Sequence, residues 1–235
     1  MKKYLSILIV IAVLFSFAAC SNNAKNNGSE TTANTTEMQK TENTEASASV
    51  SGKTLVVYFG VPEDVDTNDV DAVAGASIVV KDGEKVGNIQ YVADIIQKNT
   101  GADLFRIEPE TPYTTDHEDL VDLAKEEQNS NARPQIKNSI ENFEQYDTVF
   151  VGYPNWWGDM PQIIYTFFDA YDFTGKTIIP YNTHGGSGFS NTISTIKNLE
   201  PNANVNEDGY TVSRNNVNES ESEIIAWLDD LGYNK

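Results

Sequence analysis

Cysteine and histidine are scarce in this chain of 235 residues, which has one cysteine and two histidines. A single cysteine cannot form an intramolecular disulfide, so no disulfide framework is expected. Structural zinc sites use four Cys or His ligands, and this chain offers three in total. The sequence therefore predicts no transition-metal site. No Ser-His-Asp order and no pair of catalytic carboxylates stands out either.

Basic residues are also few, with 16 Lys and Arg against 35 Asp and Glu and a net charge of −19. Such a surface repels the phosphates of nucleic acids and the headgroups of anionic lipids. We therefore expect no nucleic-acid partner. The acidic residues are spread along the chain, which is typical of solvated surface.

The first twenty residues have the layout of a secretory signal. Lys2 and Lys3 precede an apolar run from Leu5 to Phe17, and two alanines lead to Cys20. The run is shorter than the roughly 20 residues of a membrane-spanning helix, which argues against an uncleaved anchor. The position of Cys20 resembles a bacterial lipobox, in which the cysteine is acylated and becomes the new N-terminus. The alternative is a chance cysteine at a conventional cleavage site.

A lipobox predicts that the protein is held on the outer side of the cell membrane by the lipid on Cys20, with no other contact to the membrane. Cleavage would leave 14 basic residues against 35 acidic ones, a net charge of −21. Residues 21–52 are Ser, Thr, Asn and Glu with scarcely an apolar side chain, so we expect a disordered tether. Residues 53–235 suffice for one domain with a substantial core.

Within residues 53–235, apolar runs typical of buried strands alternate with helical patterns. The runs are KTLVVYF at 53–59, LFRI at 104–107, TVFVGY at 148–153, TIIPY at 177–181 and a weaker one at 210–212. One-face helical spacing appears in the segments 91–96, 163–168, 193–199 and 224–231. This alternation predicts an α/β fold with a doubly wound five-stranded parallel sheet of order 2-1-3-4-5 and helices on both faces. Ligands of such sheets lie beyond the carboxyl ends of the first and third strands.

Two loops that follow predicted strands have unusual compositions. The loop after the third strand is Pro154-Asn155-Trp156-Trp157-Gly158, whose indoles offer flat apolar faces to a planar ring. The alternative is a packing cluster over the end of the sheet. The loop after the fourth strand is Thr183-His184-Gly185-Gly186-Ser187-Gly188, whose glycines let backbone N–H groups approach a ligand. His184 is either a polar or proton-donating wall of the site or a capping residue turned toward the backbone.

The segments KTLVVYF, YPNWWGDMP and THGGSGF resemble the Flavodoxin_4-type group of flavodoxin-like proteins over essentially all of residues 53–235. The resemblance implies FMN as the cofactor, with the loops 154–158 and 183–188 flanking its isoalloxazine and with electron transfer through the flavin. It also implies a Ser/Thr-x-Thr-Gly-Asn-Thr loop after the first strand that holds the FMN phosphate. Gly87 and Asn88 match the Gly-Asn of that motif. Gly60 stands where a Ser is expected and Ile89 replaces the final Thr, so two hydroxyl donors are missing.

A long insertion, residues 61–86, separates Gly60 from Gly87. Its segment 63–71 carries five acidic residues without the spacing of a known cation loop. Ser77 or a backbone amide of residues 74–76 is a candidate to replace a lost donor. Three hypotheses stay open. In the first, the chain is an FMN-dependent electron carrier or reductase of a quinone or other small acceptor, which needs a redox partner to supply electrons. In the second, it is an FMN-dependent enzyme with its own organic substrate. In the third, it is a binding module that kept the fold and lost FMN.

Overall fold

The structure is a computed structural model that describes residues 52–62, 77–81 and 83–235. The predictions for the signal, for Cys20, for the tether up to residue 51 and for most of the acidic insertion lie outside the described residues. The strands are β1 Lys53–Tyr58, β2 Ile78–Lys81, β3 Glu84–Gly87, β4 Asp103–Arg106, β5 Tyr146–Pro154, β6 Thr177–His184, β7 Asn204–Val205 and β8 Tyr210–Ser213. The α-helices are α1 Asn88–Thr100, α2 His117–Ser130, α3 Gln162–Ala170, α4 Thr192–Leu199 and α5 Glu221–Asp230.

Six strands form one parallel sheet of order β4-β1-β5-β6, with β7 and β8 both paired to the outer edge of β6. In terms of strand positions this is the predicted order 2-1-3-4-5, which is confirmed. The fifth position is divided, because the pairing stops after Ile178 and resumes at Tyr181. Pro180 lies in that gap and has no N–H to donate to a neighbouring strand.

The insertion after β1 contains a structured part that the sequence analysis did not predict. Strands β2 and β3 form an antiparallel hairpin whose register pairs Ile78 with Gly87. The hairpin delivers the chain directly into α1, since β3 ends at Gly87 and α1 begins at Asn88. The insertion therefore returns the chain to the end of β1 and fixes where α1 begins.

Alternate residues of β1 enter two separate hydrophobic cores, one on each face of the sheet. Leu55 and Val57 pack with α3 and α4 residues in one core, and Val56 and Tyr58 pack with α1 and α5 residues in the other. This burial on both faces explains why the strand sequence is continuously apolar. The predicted helical segments at 91–96, 163–168, 193–199 and 224–231 correspond to α1, α3, α4 and α5, with the last segment ending one residue beyond its helix.

A tyrosine crosses a glycine in the centre of the sheet. Tyr181 of β6 is fully buried, and its hydroxyl donates a hydrogen bond to the carbonyl oxygen of Val57 on β1, 3.1 Å away. To reach it, the ring passes over Gly152 of β5. A Cβ atom at residue 152 would lie 2.1 Å from Cζ of Tyr181, so only glycine leaves room for the ring.

Among the described residues, none of the helices is long and apolar enough to cross a bilayer. Within the same ranges, no group of three or more His, Cys, Asp or Glu side chains is placed to hold a metal ion.

Candidate functional site

A cavity of about 290 Å³ opens at the carboxyl ends of β5 and β6, where a doubly wound sheet is expected to bind its ligand. Its walls come from the loops after these two strands, from α2, from the start of α1 and from the chain after β8. The lining residues are Ser77, Asn88, His117, Leu120, Val121, Ala124, Pro154, Asn155, Trp156, Trp157, Thr183, His184, Gly185 and Arg214. None of them is acidic, although acidic residues outnumber basic ones by more than two to one in the chain. The lining therefore suits a ligand with an apolar ring and electronegative edges.

The two tryptophans sit on a tight turn that is closed by backbone hydrogen bonds between Trp156 and Asp159 in both directions, at 2.9 and 3.0 Å. The central residues of the turn, Trp157 and Gly158, have φ angles of +54° and +77°. Positive φ at both positions defines a type I′ turn, in which glycine at the second position avoids strain. The turn holds both indoles in fixed places beside the cavity.

The two indoles have different surroundings. Trp156 packs edge-on against Phe59 and Tyr113, with ring centroids 5.7 and 5.8 Å apart. Trp157 is 53% exposed, and its Nε1 donates to the carbonyl oxygen of Val121 on α2, 3.0 Å away. Trp156 thus joins the core beneath the cavity, whereas Trp157 ties the loop to α2 and leaves much of its ring accessible.

Asn155 joins the tryptophan loop to the glycine loop. Its Nδ2 donates to the carbonyl oxygen of Gly188 at 2.9 Å and to Oγ of Ser190 at 3.1 Å. Its Oδ1 accepts from the backbone N–H of Gly158 at 3.0 Å. Asn155 therefore sets the distance between the two walls of the cavity.

His184 is held in one orientation at the end of β6. Its Nδ1 accepts a hydrogen bond from the backbone N–H of Gly186 at 2.8 Å. Burial lowers the pKa of His184, which favours the neutral imidazole. A neutral imidazole that accepts at Nδ1 carries its proton on Nε2. His184 therefore contributes one N–H donor and no positive charge to the site at neutral pH.

The start of α1 contributes an unsatisfied acceptor. Asn88 is 2% exposed, and its Oδ1 has no hydrogen-bond partner. A buried carbonyl oxygen without a partner costs roughly 1–3 kcal/mol, so Asn88 favours a ligand with a hydroxyl or N–H donor. The backbone N–H of Asn88 is already bonded to the carbonyl oxygen of Ser77 at 2.8 Å.

A much smaller void lies beside the cavity, under the end of β1. It has a volume of about 10 Å³ and is lined by Gly60, Gly87 and Ile89 among others. Ser77, Pro154, Trp156 and Thr183 line both spaces, so the two adjoin. The predicted phosphate loop is thus next to the cavity. The space that its described residues and Arg106 enclose is too small for a phosphate group.

The structure gathers most of the predicted site residues at one place. Asn88, Thr183 and Gly185 line the cavity together with His184 and residues 154–157, whereas Gly60, Gly87 and Ile89 line only the smaller void. Gly158, Gly186, Ser187 and Gly188 line neither. Gly188 instead has a structural contact, because its carbonyl oxygen accepts hydrogen bonds from Asn155 and Asn182.

Sequence reasoning did not place α2 or Arg214 at the cavity. Leu120, Val121 and Ala124 form one face of α2, a spacing visible in the sequence, but nothing local says what that face covers. His117 is the first residue of α2 and lines the cavity. Arg214 follows β8 and approaches Gly185, where its Cζ would lie 3.5 Å from a Cβ atom at that residue.

A larger depression of about 380 Å³ lies at the opposite edge of the sheet, around Lys53, Gly101, Asp103 and Tyr233. It is at the amino ends of β1 and β4, whereas ligands of open parallel sheets bind at the carboxyl ends. We therefore assign the site to the cavity of about 290 Å³ at the carboxyl ends of β5 and β6.

Comparison with known proteins agrees with this fold. The family model Flavodoxin_4, described as flavodoxin, matches residues 78–231. A candidate flavoprotein from Bacteroides eggerthii is 32% identical, with a TM-score of 0.58, over 76% of this chain and 96% of that one. A second, from Bacteroides uniformis, is 26% identical, with a TM-score of 0.59, over 76% of this chain and 98% of that one. The chain therefore belongs to the Flavodoxin_4 family and has the flavodoxin-like α/β fold.

A flavoprotein from Lactobacillus acidophilus, solved in complex with FMN, has the same fold at 19% identity. Its TM-score is 0.50, and the match covers 75% of this chain and 98% of that one. Comparison with curated proteins gives no match.

Proposed function

We propose that this protein binds FMN in the cavity between the tryptophan and glycine loops and acts as a redox protein, either as an electron carrier or as a reductase of a small acceptor. One observation carries the proposal: two loops that are joined by Asn155 flank a cavity at the carboxyl edge of the sheet, and none of the described residues that line it is a carboxylate. The FMN complex of the Lactobacillus acidophilus relative supports the choice of flavin.

The residues present fit a flavin ring and its ribityl chain. Trp156 and Trp157 give apolar and aromatic surface, and Pro154 and Leu120 extend it. Polar contacts are few and fixed, which is typical of a small-molecule site. The unsatisfied Oδ1 of Asn88 suits a ribityl hydroxyl, and the Nε2–H of His184 suits an electronegative edge of the ring.

FMN, when bound, supplies one- and two-electron redox chemistry, and the protein supplies position and environment. The type I′ turn and Asn155 hold the two loops at a fixed separation, so that they would clamp a flavin ring between them. Neutral His184 offers an N–H donor without adding charge. The exposed face of Trp157 lies at the mouth of the cavity, where an acceptor or a partner protein would approach the ring.

The site is predicted to work on the outer side of the cell membrane, held there by a lipid on Cys20. The N-terminal sequence MKKYLSILIVIAVLFSFAAC supports this proposal. Metabolic labelling with a radioactive fatty acid is expected to label the chain and not its Cys20→Ala variant. Equal labelling of both, or of neither, contradicts lipid attachment at Cys20.

A second function is favoured by the smaller void: a lipid-anchored binding module that kept the fold and no longer binds FMN. Gly60 and Ile89 replace the two hydroxyl-bearing residues of the phosphate loop and pack against each other instead. This module would be colourless when purified, whereas a flavoprotein is yellow.

Titration of flavin fluorescence distinguishes these two functions. The full chain, purified in a mild detergent, is expected to quench FMN fluorescence with micromolar or tighter affinity. Trp157→Phe keeps an aromatic ring but loses the N–H that donates to Val121, so its affinity is expected to fall several-fold. Trp227→Phe is the matched control. The Nε1 of Trp227 likewise donates to a backbone carbonyl oxygen, that of Asp208, but its ring packs against the core that contains α1 and α5 residues, away from the cavity. Absence of saturable quenching by the wild type contradicts the redox function and favours the binding module.

A further inference from the structure

We infer that the phosphate of the flavin gains nothing from the start of α1 in this protein, so that the chain binds riboflavin at least as tightly as FMN. This inference rests on the proposed function, because it concerns the flavin that the same cavity accepts. It follows from three observations on the described residues: a steric pair, an occupied backbone donor and a closed void.

The steric pair is formed by Gly60 and Ile89. A Cβ atom at residue 60 would lie 2.4 Å from Cγ2 of Ile89, and the other heavy atom within 4 Å also belongs to Ile89. Ile89 itself is 3% exposed. A serine at residue 60 therefore does not fit unless Ile89 moves. The two departures from the phosphate loop are thus one coupled change that replaces two hydroxyl donors with an apolar contact.

The occupied donor is the first N–H of α1. A helix start binds phosphate through its free backbone N–H groups, which also carry the positive end of the helix dipole. In this chain the N–H of Asn88 donates to the carbonyl oxygen of Ser77, 2.8 Å away. That oxygen carries a partial negative charge at the start of α1 and takes up the first of its N–H donors. Ser77 therefore returns to the start of α1, but it brings an acceptor and not a donor.

The closed void is the space beside these residues, about 10 Å³ in volume. That is close to the space that one water molecule occupies, so it does not accommodate a phosphate group. Asn88 lines the neighbouring cavity, and its buried Oδ1 lacks a donor. A phosphate dianion offers acceptors only, whereas a ribityl hydroxyl can donate. Shape and hydrogen bonding therefore both favour the uncharged part of the flavin.

The net charge of the chain acts in the same direction at long range, whereas the guanidinium of Arg106, which lines the void, is a local positive charge. The chain carries a net charge of −19, so bringing a dianion to its surface is unfavourable at low ionic strength. Salt screens this repulsion, since the Debye length falls from about 30 Å at 0.01 M to about 3 Å at 1 M. FMN binding should therefore strengthen relative to riboflavin binding as salt is added, whereas a site that pairs the phosphate with donors shows the reverse.

The test measures dissociation constants of riboflavin and FMN with the full chain in mild detergent, at low and high salt. We expect riboflavin to bind as tightly as FMN or up to threefold tighter at low salt, with the two values converging at high salt. Two charge-assisted hydrogen bonds to a phosphate are worth about tenfold or more each. FMN binding that is tenfold or more tighter than riboflavin binding therefore overturns the inference and leaves the proposed function standing. Binding of neither flavin overturns the proposed function itself.

The cause is tested by restoring both hydroxyls in the double variant Gly60→Ser/Ile89→Thr. Threonine in a helix adopts two rotamers where isoleucine adopts one, so it can turn its methyl group away from a serine Cβ. We expect the ratio of the two dissociation constants to shift tenfold or more toward FMN. Ile193→Thr, on α4 and partly buried, is the control and should leave the ratio unchanged. A folded double variant with an unchanged ratio overturns the assignment to Gly60 and Ile89, and the wild-type ratio remains informative if the variant does not fold.

Discussion

Replacing Gly152 with alanine tests the packing that holds β1, β5 and β6 together under the cavity. A Cβ atom at residue 152 would lie 2.1, 2.3 and 2.5 Å from Cζ, Cε2 and Oη of Tyr181. These are atoms of a fully buried ring, so nothing at the contact can swing into solvent. The ring has to move, and its hydroxyl then loses the hydrogen bond to the carbonyl oxygen of Val57.

Two costs add up to the expected loss of stability. Overpacking of a dense core costs about 1–3 kcal/mol. A buried hydrogen-bonding group left without its partner costs about 1–3 kcal/mol more. We therefore expect Gly152→Ala to lower the free energy of unfolding by about 2–6 kcal/mol, a large part of the about 5–15 kcal/mol of a typical protein. The melting temperature should fall by roughly 4–24 °C, at about 2–4 °C per kcal/mol for a domain of this size.

Urea denaturation followed by circular dichroism measures the loss, and an unchanged m value would show that the unfolded reference state is the same. Gly87→Ala is the matched control. Its φ of −62° suits any residue, and the nearest atoms to a new Cβ are at 3.8 Å. It should cost about 1 kcal/mol or less, because alanine caps a helix less well than glycine. A loss below about 1 kcal/mol for Gly152→Ala would refute the placement of the Tyr181 ring.

Three further predictions concern the site and its surroundings. Asn155→Asp keeps the acceptor for the N–H of Gly158 but loses both donated bonds, each worth about 1 kcal/mol. The dissociation constant for flavin should rise about tenfold or more, and the melting temperature should fall by roughly 4–8 °C. An unchanged dissociation constant contradicts the clamp. Glu200 has a pKa of about 7, raised by burial and then by Asp172 and Asp169, so the folded state holds a proton that the unfolded state releases from about pH 4.5 upward. Stability is therefore lost as pH rises through that window, and Glu200→Gln should be about 1 kcal/mol more stable than wild type at pH 8, after allowance for solvent screening, and equal to it at pH 4. If Glu200→Gln and wild type are equally stable at both pH values, ionised Glu200 does not destabilise the folded state. Tyr113→Phe removes the hydrogen bond to Oε2 of Glu127, 3.0 Å long, and keeps the ring against Trp156. Flavin affinity should therefore change less than threefold. A larger change would mean that the hydroxyl of Tyr113 positions Trp156.

The fold follows from the sequence to a large extent because its strands are buried on both faces. Such strands are continuous apolar runs, so β1, β5 and β6 are visible without knowledge of tertiary contacts. The hairpin of β2 and β3 is different. Asp82-Gly83 is a strong hairpin signal, but it lies in an insertion that has no counterpart in the expected loop.

The candidate site is predictable only where it lies close to strand ends. The residues after β5 and β6 are at the cavity because the topology brings these loops together. The contribution of α2 depends on how that helix packs, which its own sequence does not determine. The coupling of Gly60 with Ile89 joins residues that are 29 positions apart, so the sequence shows two separate departures and the structure shows one contact.

The position of a bound flavin tests the central claim most directly. A crystal structure of the full chain grown with FMN or riboflavin is expected to place the ring within contact of Trp156, Trp157 and residues 183–185, with Oδ1 of Asn88 accepting from the ligand. Flavin in the depression around Lys53 and Tyr233 at the opposite edge of the sheet would contradict a flavin site at the carboxyl ends of β5 and β6. A cavity that stays free of flavin at saturating concentration would contradict it as well.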